Sequence, residues 1–127
     1  MGFLDGFEYY DFKEKAPHFH LRKDGVTFSV GVAESLGYPP KCTFLFRTAT
    51  KQCALQGVDI DDERGVDYYD PNNLPPDGQV KWPDKRLAKH IADLGGFDLE
   101  KHEYLVHGYD IPETDAMMFD LNTAKEI

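Results

Sequence analysis

The sequence predicts an α+β fold, a single domain of 127 residues built from two βαββ-like halves related by a pseudo-twofold. Three observations predict it. Short runs rich in β-branched and aromatic residues recur along the chain. Two stretches with helical spacing interrupt them, and both end in Leu-Gly, at Leu36-Gly37 and Leu94-Gly95. The order strand, helix, strand, strand occurs once before and once after an acidic stretch rich in Pro and Asn. At this length one core is the expectation, and 41% hydrophobic residues, with 13% aromatic, suffice to fill it.

Residues 1–25 read as an N-terminal arm and a first strand. The arm carries Phe3, Phe7, Tyr9, Tyr10 and Phe12, rings suited to dock on the core or on a neighbouring subunit. His18-Phe19-His20-Leu21-Arg22 alternates as a strand does, and Lys23-Asp24-Gly25 supplies a hairpin turn. The first βαββ-like half covers residues 26–57. Val26-Thr27-Phe28 is its short strand, Ser29 the N-cap of a helix with Val32, Ala33 and Leu36 on its apolar face. Gly37 stops that helix and Pro39-Pro40 forbids its continuation. Cys42-Thr43-Phe44-Leu45-Phe46 and Gln52-Cys53-Ala54-Leu55-Gln56 then form a β-hairpin across a polar connection.

Residues 58–79 are an acidic loop. Asp70-Pro71-Asn72-Asn73 and Pro75-Pro76-Asp77-Gly78 are turn signals, and residues 66–69 allow a brief strand. The second βαββ-like half covers residues 80–127. It opens on Val80-Lys81-Trp82, and Pro83 takes the first turn of a helix carrying Leu87, Ile91 and Leu94 on one face. Gly95-Gly96 ends that helix. Tyr104-Leu105-Val106-His107 and Ala116-Met117-Met118-Phe119 are the closing strands, joined through residues 108–115. The second helix is longer than the first by about one turn, which preserves the facing of its apolar stripe.

Over residues 26–58, the strand, the helix ending at Leu36-Gly37 and the hairpin of Cys42 to Gln56 resemble the swapped-hairpin domains of AbrB-like transition-state regulators and of MraZ, which carries two such repeats. The second half is similar more loosely, and small bacterial and phage-associated proteins are built from the same pieces. The resemblance implies the fold, and it implies a DNA-binding regulator or antitoxin acting as a dimer. In this chain Tyr38-Pro39-Pro40-Lys41 stands where that family carries a Gly-Asp turn.

The formal charge of -9 opposes a large nucleic-acid footprint, because a polyanion is held by Lys and Arg replacing its counterions. The acidity is concentrated in residues 58–79, which sum to -6, whereas residues 26–57 sum to +2. No run has the eighteen or so apolar residues of a membrane helix, and the start lacks a basic flank with a long apolar stretch, so a cytoplasmic protein is expected. Cys42 and Cys53 lack Cys-x-x-Cys spacing and read as buried free thiols.

His18 and His20 stand on one side of a strand, a geometry compatible with two metal ligands in a small metal-dependent enzyme, although a site needs three or four. His102 and His107 lie on opposite faces of a regular strand. Asp59-Ile60-Asp61-Asp62-Glu63-Arg64-Gly65 resembles a calcium loop, but Arg64 stands where the tight turn wants Gly and Asp70 replaces the bidentate Glu, so a solvated loop is expected. No phosphate-binding or dinucleotide glycine motif and no nucleophile elbow occurs, and no cofactor is expected. The most suggestive surface is the second helix, where Lys81, Lys85, Arg86 and Lys89 gather opposite the apolar face and residues 80–92 sum to +3. The reading that follows is a non-enzymatic interaction or regulatory module that self-associates and meets a protein partner. A DNA-binding regulator is its first rival.

Overall fold

The computed structural model describes residues 17–73 and 78–127. Alternation sets the first hairpin. In β1 (His18–Arg22) Phe19 and Leu21 are fully buried, and in β2 (Gly25–Phe28) Val26 and Phe28 face the same way. Arg22 pairs with Gly25, leaving Lys23 and Asp24 as a two-residue turn. Gly25 is required there by space and not by backbone torsion. A Cβ would lie 2.3 Å from the Trp82 carbonyl oxygen.

The helix α1 (Val30–Leu36) buries Gly31, Val32 and Ala33, and Gly37 closes it in the left-handed region at φ 76°. Ser29 stands at its N-cap, but its hydroxyl accepts the amide of His18 at 3.0 Å and not a helix amide. The expected cap is therefore a tie to β1. The chain then forms β3 (Lys41–Arg47) and β4 (Gln52–Val58), paired in full register through a 3-10 turn at Thr48–Thr50. The acidic stretch contributes β5 (Val66–Asp67) beside β3. β6 (Val80–Trp82) leads into α2 (Lys85–Gly95). Asp84 caps α2 by accepting the amides of Arg86 and Leu87, so Pro83 precedes the cap and does not occupy the first turn as the sequence suggests.

The strand β7 (Tyr104–Asp110) is the hinge of the sheet. Residues 104–107 pair with β1, whereas residues 108–110 pair with β8 (Ala116–Asp120). After a 3-10 turn at Leu121–Thr123, β9 (Lys125–Glu126) rejoins β7 at Tyr104 and Leu105. The described residues thus form one mixed α+β unit dominated by an antiparallel sheet in the order β5-β3-β4-β8-β7-β1-β2-β6. That sheet curls into a half-barrel. Its two outer strands approach each other where the indole N–H of Trp82 in β6 donates to the Asp67 carbonyl in β5 at 3.0 Å.

The concave side is filled by rings. Phe19 and Phe119 lie 4.8 Å apart by centroid, Phe28 and Trp82 5.0 Å, and Phe28 and Tyr68 5.6 Å. Phe19, Phe28 and Phe119 are fully buried, and each such side chain contributes about 1.5–3 kcal/mol by leaving water. Helix α2 buries Ala88 and Ile91 and seats His90 against Phe46 of β3 at 4.3 Å. Along the chain β2-α1-β3-β4 and β6-α2-β7-β8 share one element order. No helix among the described residues is long and apolar enough to cross a membrane.

Candidate interaction face

An antiparallel sheet with one face on its core places alternate side chains in solvent, and those positions are ordinarily polar. Four strands here break that pattern in one line. Cys42, Phe44 and Phe46 of β3 turn inward, so Leu45 turns outward. Register sets Leu45 opposite Ala54, Ala54 opposite Met118, and Met118 opposite Tyr109. The result is an apolar row running straight across β3, β4, β8 and β7 on the convex side. Leu45 is 46% exposed and Tyr109 53%, and Ile111, which bonds back to Ala116, lies at the margin at 36%.

A shallow depression of about 500 Å³ lies along this row, with Leu45, Arg47, Gln52, Ala54, Ile111 and Met118 among its walls. The neighbouring row holds Arg47, Gln52 and Asp120. Arg47 donates to the Gln52 side chain at 3.4 Å, and Asp120 accepts the Asn122 backbone and side-chain amides at 3.0 and 2.8 Å. Asp120 is the one carboxylate at an outward position of these four strands, and Lys41 and Arg47 are the cations. In a chain of net charge -9 this face carries no excess of negative charge.

Sequence reasoning missed this row, although a signal for it was present. Phe44-Leu45-Phe46 and Ala116-Met117-Met118-Phe119 are unbroken apolar runs where a strand with one wet face should alternate. What no local pattern shows is that the surplus residues of distant strands come to one line.

The structure sets the two histidines singled out as a metal pair on one face of β1 and gives them different neighbours. His20 and His18 both face outward, but the Nε2 of His20 sits 2.6 Å from Glu103 Oε1, which also meets Arg22 Nε at 3.4 Å. His18 packs edge-on against His107, with centroids 6.3 Å apart. Among the described residues no three His, Cys, Asp or Glu side chains converge as metal ligands. His102 lies elsewhere, 3.9 Å from Glu126.

The basic group is likewise divided. Lys81 belongs to β6, whereas Lys85, Arg86 and Lys89 stand exposed on α2. Lys89 pairs with Asp93 at 3.1 Å, and Asp84 adds a further negative charge at the helix start. In the acidic loop Asp62 accepts the backbone amide and guanidinium of its own Arg64, and these hydrogen bonds hold its carboxyl below the usual range. Cys42 and Cys53 are sealed in the core, where burial pushes both thiols up to about 12, with the charge of Asp120 adding to the effect at Cys53. The aromatic arm of residues 1–16, and most of the Pro75-Pro76-Asp77-Gly78 turn, lie outside the described residues. Comparison of the chain with family models, with curated proteins and with solved structures finds no match.

Proposed function

We propose that this chain is a non-enzymatic recognition module that meets another protein through the outward face of β3, β4, β8 and β7. The observation that carries this reading is the Leu45-Ala54-Met118-Tyr109 row, exposed at its two ends and half-buried at Ala54 and Met118, since apolar surface rimmed by polar groups marks interaction sites. The withdrawal of both thiols into the core also supports it, because a thiol held protonated to about 12 is a poor nucleophile. Within this reading the two halves are pseudo-twofold copies. Its support is topological. β2 pairs with β6 and β4 with β8, and exchanging one half for the other leaves those pairings unchanged.

The test is capture by the immobilised full chain from a lysate of its own host, quantified against a Met118→Glu variant and a Lys85→Glu variant. Proteins held by the native chain and by Lys85→Glu, but lost with Met118→Glu, are expected. An identical set from all three would remove the face from consideration. A DNA-binding regulator is the second reading, favoured by the exposure of Lys85 and Arg86 on a helix whose other side is in the core. It predicts affinity for random duplex that falls steeply with salt and disappears when both residues become Glu.

A further inference from the structure

The row that carries the proposed function has a property that selects its partner. Its members are large, small, large, large in the order Leu45, Ala54, Met118, Tyr109, with the β4 and β8 positions at the centre. Turning a second copy over about an axis parallel to the strands, between β4 and β8, exchanges β4 with β8 and β3 with β7. Met118 of each copy then falls on Ala54 of the other, and Leu45 falls on Tyr109. Large meets small at the centre, on β4 and β8, where two convex faces touch first.

The charges agree with the same operation. Arg47 and Asp120 lie in one row, on β3 and β8. The twofold sets Arg47 of one copy over β7 of the other, one strand spacing of about 4.8 Å from that copy's Asp120, within reach of an arginine side chain. Both symmetry-related pairs form at once, as in any isologous contact. With Asp120 the one outward carboxylate of these strands, and Lys41 and Arg47 as its cations, two chains of net charge -9 meet here on a surface without an excess of negative charge.

We infer that the occupant of this face is a second copy of the chain, packed about that twofold, an inference that rests on the face being the recognition surface. The row spans four strands, roughly 20 Å, so the contact is a small one and the dimer reversible.

Sedimentation equilibrium of the full chain, from about 5 to 500 μM, tests this with three variants whose folding is checked by circular dichroism. Met118→Glu abolishes the dimer. Ala54→Met places methionine against methionine and weakens it roughly tenfold, and Ala54→Met with Met118→Ala restores it to about the native constant. Undirected stickiness predicts the opposite for Ala54→Met, which adds apolar surface, so tighter association in that variant overturns the inference. An unchanged constant in Ala54→Met places the dimer elsewhere and overturns it too. A native chain that stays monomeric, yet captures a different protein that Met118→Glu loses, removes the second copy and leaves the recognition face standing. A monomer whose Met118 and Tyr109 are shielded from hydroxyl radicals has the face covered by its own chain, and both readings fall.

Discussion

The two cysteines show how one environment can decide a residue's chemistry. Cys42 is fully buried and Cys53 nearly so, each on a strand beside aromatic core residues. In the unfolded chain their thiols ionise near about 8.5, whereas in the fold burial holds them protonated up to about 12. Below the unfolded value neither state loses a proton and the thiols add no pH dependence. Above it the unfolded state ionises and the native state does not, so stability falls as pH rises, by about 1.4 kcal/mol per unit for each thiol. Urea unfolding between about pH 8 and 11 should therefore show a shallower decline in Cys42→Ala than in the native chain, even though the variant starts lower for want of packing. Parallel declines would mean that Cys42 ionises in the fold as freely as outside it.

Helix entry is the point at which local rules and tertiary demands part. Both helices follow a residue of the capping type, although the sequence predicts a cap at Ser29 alone and places Pro83 in the first turn of the second helix. Asp84 caps, with bonds to Arg86 and Leu87, while the Ser29 hydroxyl serves His18 of the neighbouring strand. Asp84→Ala should cost about 1 kcal/mol and accelerate amide exchange in the first turn of α2 alone. Ser29→Ala leaves the part-buried His18 amide without that acceptor, at about 1 kcal/mol, and its exchange signature should appear in the β1-β2 hairpin. Fraying of α1 with a quiet β1 would reverse the assignment. The same contrast explains what was legible. The hairpin of β3 and β4, the Leu-Gly helix ends and the brief β5 are written in β-rich runs, helical spacing and turn residues. The use of Ser29 depends on a strand eleven residues away.

The curl of the sheet lies beyond any local pattern, because it follows from β4 meeting β8 and β2 meeting β6, strands from opposite halves of the chain. For the same reason Leu45, Ala54, Met118 and Tyr109 read singly as ordinary strand residues and become a face only when register aligns them. A polar tie crosses the gap of the curl. The Trp82 indole donates to the Asp67 carbonyl, while the amides of Tyr68 and Tyr69 bond to Pro40 and Pro39 on the chain entering β3. Trp82→Phe keeps an aromatic ring against Phe28 and removes that donor. It should cost about 1–3 kcal/mol, from the lost hydrogen bond and the smaller ring. The loss is directional, since β5 pairs with β3 at two positions and depends on Trp82 for its other side, whereas β4 and β8 share five pairs. Hydrogen exchange at Tyr68 and Tyr69 should quicken in the variant while exchange along β4 and β8 keeps its native rate. A uniform acceleration would show that Trp82 supports the whole core equally and that the curl does not rely on a seam.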